Sequence, residues 1–377
     1  MRLLEVTNDF PPTLGGIENY AFSLVSRWQP DEVVVLARKV PGSDDFDRRL
    51  PFEMLRQPVR LLLPTPTLLR KTVEIIRTRS IDIVHFASPV PLALLGPRIR
   101  RATGVPYAVS VHGGELVLAA SLPAARSLLA TALRQAQLVL PASLFTQRAV
   151  LDALGGSARN PPPISVLTPG VDPDRFSPDV SPPEHLRLGG PVIVAVSRMV
   201  ARKGAGTLIA ALPRILSRHP GARLLLVGGG PDLPRLGRLA RALGVAPAVI
   251  FAGPQPWSDI ARFYAAGDIF ALPTRARFRG LETEGFPLVY LEAASCGLPA
   301  VAGDAGGVCE AVIEDETGYI VDGRRPERAA AAIERLLDDP ELARRMGQHA
   351  RQRVLERFTW DRFARSFRAL LEQAASR

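Results

Sequence analysis

Apolar residues along the chain follow two alternating patterns. The runs Leu3–Thr7, Val33–Ala37, Asp82–Phe86 and Tyr107–Val111 are short, β-branched and nearly continuous, as in buried strands. Between them, stretches such as Glu18–Arg27 and Thr67–Arg79 place apolar residues at helical spacing. This alternation predicts a parallel sheet covered by helices. Proline-dense breaks at Asn160–Pro163 and Ser177–Pro183 interrupt the rhythm, which then restarts. A second set of strands is predicted at Pro191–Val196, Arg223–Val227, Val249–Ala252, Asp268–Leu272 and Pro299–Ala302. Helices are predicted at Ala205–Ser217, Pro231–Ala242, Ser258–Ala265, Leu288–Cys296, Pro326–Leu337 and Glu341–Glu356. The expected fold is α/β, with two Rossmann-like doubly wound domains (1–178 and 179–357) facing an interdomain cleft. Such sheets bind ligands beyond the carboxyl ends of their strands, so the loop after each strand is where chemistry is expected.

Composition narrows the function classes. A chain of 377 residues exceeds one ordinary domain, and 47% apolar with 22% charged residues excludes a disordered or fibrous chain. No apolar run approaches the roughly 18 residues of a membrane-spanning helix. The opening ten residues carry Arg2, Glu5 and Asp9, unlike a signal peptide. Two cysteines, Cys296 and Cys309, cannot build a disulfide scaffold and fit a reducing compartment. A cytoplasmic protein is expected. The net charge is +10, and the cations are almost all arginine, with lysine only at Lys39, Lys71 and Lys203. Acidic residues are interleaved throughout, and no basic run carries interleaved aromatics. The charge therefore suits phosphorylated substrates or an anionic membrane surface, not nucleic acid.

The strongest chemical signal is Glu284-Gly-Phe-Pro-Leu-Val-Tyr-Leu-Glu292. Pro287 suits a first helical position, which leaves the N–H groups of Phe286, Leu288 and Val289 free to meet a phosphate. Glu292, on the helix, can accept hydrogen bonds from both hydroxyls of a ribose. Glu284, before the helix, lies near whatever sits beyond the phosphate. A second signal is Ser197-Arg198-Met-Val-Ala-Arg-Lys203-Gly204, directly after a strand. Arg198 and Lys203 there can clamp a diphosphate, with Arg202 competing for the second role. Leu224–Pro231 runs a strand into a triple-glycine turn, a weaker signal. His112 ends a strand and precedes Gly113-Gly114, a turn that exposes the imidazole to a sugar hydroxyl. Asp172-Pro-Asp174 has the form of a metal-binding DxD but lies in the linker, and the histidines have no metal-ligand spacing. No metal site and no cofactor are expected.

Together these residues resemble glycosyltransferase family four, retaining enzymes of the GT-B fold that use nucleotide sugars. Further marks are Gly15-Gly16, His112-Gly113, Gly170-Val171-Asp172 and Gly306-Gly307-Val-Cys-Glu310. The resemblance covers nearly the whole chain, and the glutamate pair with the arginine–lysine pair is its specific part. It implies that Arg198 and Lys203 hold the donor diphosphate and that Glu292 binds the ribose. Glu284, with the backbone of Gly285, Phe286, Pro287 and Leu288, would hold the donor sugar. It also implies that His112 faces the reacting sugar, that Gly15 and Gly16 let the backbone approach phosphate or acceptor, and that a C-terminal helix, 358–377, packs back on the first domain. Pro287 departs from the glycine of many members and removes one N–H from that turn.

The resemblance narrows to actinobacterial phosphatidylinositol-mannoside mannosyltransferases through Thr7–Ile17, Leu63–Thr67, Ile81-Asp82, Pro91–Leu94 and the loop Pro273–Glu284. It implies GDP-mannose as donor and a glycolipid acceptor at the inner membrane face, with peripheral contact to anionic membrane. Arg275, Arg277 and Arg279 fit either an acceptor phosphate or a solvated surface. Leu116–Gln135, with Leu118, Leu122, Leu128, Leu129 and Leu133 beside Arg126 and Arg134, fits an interfacial helix and core packing equally, with Arg98, Arg100 and Arg101 nearby. Rival readings are a UDP- or ADP-sugar transferase with a soluble acceptor, a nucleotide-sugar epimerase and a non-catalytic nucleotide binder. The base pocket is expected near Gly228–Gly230 and Gly253–Gln255.

Overall fold

The computed structural model describes residues 1–13, 15–114, 116, 123–155, 161–278 and 282–376. They form two compact units. The first runs from Met1 to Pro169 and takes in the segment from Trp360 onward; the second is Gly170–Thr359.

The first unit holds a parallel sheet of β1 (Leu3–Thr7), β2 (Val33–Arg38), β3 (Glu53–Gln57), β4 (Ile83–Phe86), β5 (Tyr107–Val111) and β6 (Leu138–Pro141), in the order β3-β2-β1-β4-β5-β6. The second holds β7 (Val192–Val196), β8 (Arg223–Val227), β9 (Val249–Gly253), β10 (Ile269–Leu272), β11 (Ala300–Gly303) and β12 (Gly318–Val321), in the order β12-β11-β10-β7-β8-β9. In each, the chain starts in the middle and winds outward in both directions, which is the Rossmann-like arrangement. Strands β1, β2, β7 and β10 are buried almost end to end, as their unbroken apolar runs require.

The chain divides at Pro169/Gly170 and not at the expected 178/179. Val171 N–H donates to Phe358 O (2.8 Å), and Phe176 lies in the second core, ring to ring with Trp257 and Tyr264. The proline-dense stretch Ser177–Pro183 thus lies inside the second unit. Proline density marks irregular chain there, not a boundary. Asn160, in the other break, lies outside the described residues.

The helix Trp360–Ala375 belongs to the first unit. Trp360 and Phe363 meet the Tyr20 ring edge-on, and Phe367 packs against Trp28 and His85. Arg368 pairs with Glu32 at 2.8 Å. Burying each such aromatic is worth about 1.5–3 kcal/mol, against less than about 1 kcal/mol for an exposed ion pair. Among the described residues, no helix is long and apolar enough to cross a membrane.

Candidate functional site

The loop after β7 carries Arg198, Arg202 and Lys203, and the glycine turn after β8 holds it in place. Ser197 N–H donates to Val227 O (3.0 Å), and Met199 N–H to Gly229 O (2.8 Å). Gly228 has φ +129°, and a Cβ there would lie 1.9 Å from Ser197 O. Only glycine lets the two loops close this tightly. Arg202 and Lys203 both reach the Glu284 carboxylate, Lys203 Nζ at 2.9 Å from Oε1. Sequence reading offered Arg202 and Lys203 as competitors for one role; the structure brings both to the Glu284 carboxylate. Arg198 lies on the other side, lining a cavity of about 280 Å³ with Arg202, Asp232, Arg277 and Glu282.

Glu284 is buried, and its backbone is fixed from behind. Gly307 N–H donates to Glu284 O (3.0 Å), and a Cβ at Gly306, φ +66°, would meet that oxygen at 1.9 Å. The Gly306-Gly307 motif therefore serves Glu284. Pro287 is the residue before the helix Leu288–Ser295, one place earlier than expected, with extended backbone and no side-chain cap. Phe286 stacks obliquely on Phe358. Glu292 projects from that helix into a buried position, where the Tyr264 hydroxyl donates to it at 2.6 Å.

The electrostatics are unfavourable as they stand. Burial pushes Lys203 down to about 7, and the Arg202 and Arg198 charges push the same way. Burial also lowers Arg202, with Arg198 adding to it. Burial pushes Glu292 up to about 7, against the Tyr264 hydroxyl and the charges of Arg175 and Lys203. Three crowded cations and two buried carboxylates are primed for a ligand that brings negative charge and hydroxyl donors. Tyr264, the hydrogen-bond partner of Glu292, is a candidate site residue that sequence reading missed. Arg175, whose charge bears on Glu292, was also not singled out: its guanidinium lies over the Trp257 ring at 4.3 Å, and Nε is buried without a partner.

The remaining motifs separate. Asp172 Oδ1 accepts the backbone N–H groups of Asp174 (3.2 Å) and Arg175 (3.3 Å), which makes Asp172-Pro-Asp174 a turn. The described residues hold no cluster of three or more His, Cys, Asp or Glu side chains suited to a metal. Arg275 N–H bonds Arg202 O (2.9 Å), which ties the Pro273–Glu284 loop to the clamp; Arg277 faces Glu282. Arg279 and Gly280 lie outside the described residues. Gly228 N–H donates to Gly253 O (2.8 Å), so the two loops expected near the base are neighbours.

In the first unit, Gly15 precedes the helix Gly16–Val25, and Gly16 opens it. Nothing lies within 4 Å of where a Gly16 Cβ would stand. His112 follows β5, and its Nε2–H donates to Ala87 O (2.8 Å). The Tyr20 ring stands edge-on to the imidazole, centroids 4.6 Å apart. Of the two readings left open for Leu116–Gln135, the described side chains support core packing. Leu116, Leu129 and Leu133 are buried in the core, and Arg126 and Arg134 bond the carbonyls of Asp152 and Leu154. Leu128 is exposed, and Leu118 and Leu122 lie outside the described residues. A cavity of about 560 Å³ that sequence reading missed is lined by Asp9, Arg38, Arg60, Leu61 and Leu63.

Comparison with known proteins places this geometry. The model for Glycosyltransferase Family 4 matches residues 14–175, and that for Glycosyl transferases group 1 matches 178–353. The GDP-mannose-dependent alpha-(1-6)-phosphatidylinositol monomannoside mannosyltransferase of Mycolicibacterium smegmatis is 40% identical over 367 residues, 95% of each chain. The Corynebacterium glutamicum GDP-mannose-dependent monoacylated alpha-(1-6)-phosphatidylinositol monomannoside mannosyltransferase is 36% identical over 96% of this chain and 95% of its own. Among solved structures, Anabaena HepE in complex with UDP superposes with a TM-score of 0.83 at 20% identity, over 99% of this chain and 100% of that one. The chain belongs to glycosyltransferase family 4 and is a glycosyltransferase built from two Rossmann-like units of the GT-B class.

Proposed function

We propose that the chain transfers a mannosyl group from GDP-mannose, with retention of configuration, to a phosphatidylinositol mannoside-type glycolipid, while bound peripherally at the inner membrane face. The donor and acceptor classes follow the 40% identity, over 95% of both chains, to a relative so named. One observation supports the donor site above the others: Arg202 and Lys203 converge on Glu284, with buried Glu292 on the next helix.

In this reading Arg198, Arg202 and Lys203 hold the diphosphate and meet the negative charge that grows on it as it leaves. Glu292 accepts from the ribose hydroxyls. Glu284, released from its cations by the diphosphate, turns to the sugar hydroxyls with the backbone of Gly285–Leu288. The bond from the anomeric carbon to the β-phosphate oxygen breaks, and the acceptor hydroxyl oxygen bonds that carbon. GDP departs, and the hydroxyl proton leaves with it. Protein cations cover the leaving group, so the reading needs no metal ion. On the first unit, His112 is assigned to the reacting sugar. The cavity between Arg38 and Arg60 suits a phosphodiester, and the exposed leucines Leu61 and Leu63 at its rim suit acyl chains.

Calorimetric titration with GDP-mannose and UDP-glucose, followed by transfer of labelled mannose to a phosphatidylinositol mannoside, tests the proposal. Binding of GDP-mannose and label in the lipid phase support it. Binding of UDP-glucose alone replaces the donor, and labelled water-soluble product alone replaces the acceptor.

A further inference from the structure

Beneath His112 lies a chain of buried polar side chains from four elements. Glu5 on β1 and His85 on β4 stand directly opposite one another in the sheet. Glu5 Oε2 is 2.6 Å from His85 Nδ1, His85 Nε2 is 2.8 Å from Ser110 Oγ on β5, and Ser110 Oγ is 2.8 Å from the Tyr20 hydroxyl. All four residues are at most 3% exposed. A serine, a histidine and a carboxylate in this order also form the nucleophilic triad of acyl-transfer enzymes. Here Ser110 lies inside the unit, bonded on both sides, so no substrate reaches its oxygen.

Donor counting gives the chain a direction. Tyr20 O–H donates to Ser110, Ser110 O–H donates to His85 Nε2, and His85 Nδ1–H donates to Glu5. Each hydroxyl and ring N–H is then used once. The reverse order would leave the buried Tyr20 proton without an acceptor, which costs about 1–3 kcal/mol. The far end of the chain is closed by packing, with Phe367 edge-on to His85 (4.9 Å). At the near end the outward step is Tyr20, whose ring edge lies against His112. Tyr20 is thus held through its hydroxyl by the sheet and through its ring by Trp360 and Phe363. His112 is held by Tyr20 on one side and Ala87 O on the other.

We infer that Tyr20, Ser110 and His85 are positioning residues for the transfer reaction, a buried polar chain that sets the orientation of the His112 imidazole. The inference rests on the assignment of His112 to the reacting sugar. Tyr20→Phe and Ser110→Ala each cut the chain while sparing the apolar packing. Each should lower kcat for mannosyl transfer about tenfold, with the KM for GDP-mannose and the Kd for GDP within twofold of the parent protein. The deciding readout is a double-mutant cycle with His112→Ala, whose residual turnover is followed at high enzyme concentration. In that background Tyr20→Phe should change kcat by less than twofold, because the group it orients is gone. An equal loss in both backgrounds means a general structural role and overturns the inference, as does no loss in the parent background. Should His112→Ala itself retain full turnover, the assignment of His112 falls and takes the inference with it. The His112 ring proton resonances give an activity-free check. They should shift or broaden in Ser110→Ala, and unchanged resonances count against the chain.

Discussion

The two units solve the problem of buried polar groups in opposite ways. In the first, Glu5, His85, Ser110 and Tyr20 use one another's donors and acceptors, and little is left over except Glu5 Oε1. In the second, Arg198, Arg202 and Lys203 crowd together beside two buried carboxylates, and burial works against the charge on Lys203 and on Glu292. A satisfied chain needs nothing from outside and serves as a frame. A cluster held away from its preferred charges gains when a ligand supplies what is missing, which is what a binding site requires. Perturbing the frame should therefore alter orientation and rate, whereas perturbing the clamp should alter affinity, pH dependence and stability together.

The largest expected effect separates two clamp residues that touch each other. Lys203→Ala should weaken GDP binding at least tenfold and cut turnover about 10²–10³-fold, the usual range for removing one donor to a developing anion. Glu284→Ala should cut turnover as deeply, yet leave GDP binding as tight as in the parent protein or several-fold tighter. The carboxylate that competes with the diphosphate for Arg202 and Lys203 is gone in that variant. Calorimetry with GDP and steady-state kinetics give both numbers. If Glu284→Ala loses GDP affinity as Lys203→Ala does, then Glu284 organises the clamp and does not compete for it.

Next in size is the pH dependence of donor binding. Burial holds Lys203 down to about 7 in the free protein, and a bound diphosphate would draw a proton onto it. GDP affinity should fall as pH rises above 7, by up to tenfold per pH unit, with net proton uptake on binding. Titrations in buffers of different ionisation enthalpy measure that uptake. Lys203→Arg should flatten the profile, because a guanidinium stays charged. A flat profile in the parent protein would remove Lys203 from the clamp.

Glu292→Gln carries a smaller effect of mixed sign. The Glu292 pKa is raised in the fold, so its contribution to stability is complete below about pH 4.5 and lost as pH rises through about 7. The Lys203 pKa is depressed, so the cost of its charge is complete below about 7 and relieved toward 10.5. From these two groups the second unit is least stable near pH 7. Gln keeps an oxygen for the Tyr264 hydroxyl and removes the buried charge. Its Tm should rise more at pH 8 than at pH 5, by about 2–4 °C for each kcal/mol relieved. GDP-mannose affinity should fall about tenfold as the ribose loses its charged acceptor. Equal Tm changes at both pH values would mean that Glu292 is not held against its charge.

The clamp was legible in the sequence because its parts lie on two continuous stretches that meet at Glu284, so their spacing survives as motifs. Arg198 to Lys203 is one loop, and Glu284 to Glu292 is one turn and helix. The frame was not legible, because Tyr20, His85, Ser110 and Glu5 come together only when β1, β4 and β5 align. A signal was present all the same. Glu5 and His85 are polar residues inside otherwise apolar runs, each third in its strand, and a buried polar residue demands a partner. Strands β3, β6 and β12 were missed for a different reason. All three lie at sheet edges; β3 is half-exposed along its length, so its Glu-Met-Leu-Arg-Gln carries no buried pattern, and β6 and β12 are only four residues long. The sequence left Leu116–Gln135 open between an interfacial helix and core packing, because helical amphipathicity is the same whether the apolar face meets lipid or a core.

The smallest perturbation tests the boundary between frame and ligand. At glycines such as Gly228 and Gly306 a Cβ would strike protein backbone, and packing alone explains the residue; Gly16 is among the described glycines where a Cβ would meet nothing within 4 Å. The chain therefore makes no steric demand for glycine there, and any demand comes from a molecule that approaches the start of the helix Gly16–Val25. Gly16→Ala should leave Tm unchanged or raise it slightly, since alanine is favoured over glycine in a helix by up to about 1 kcal/mol. Transfer should nonetheless slow about tenfold in kcat/KM as the approach is displaced, because small misplacements of reacting groups are expensive in rate. Loss of activity with loss of Tm would return Gly16 to the frame. Retention of both would mean that neither the diphosphate nor the acceptor comes within reach of that helix start.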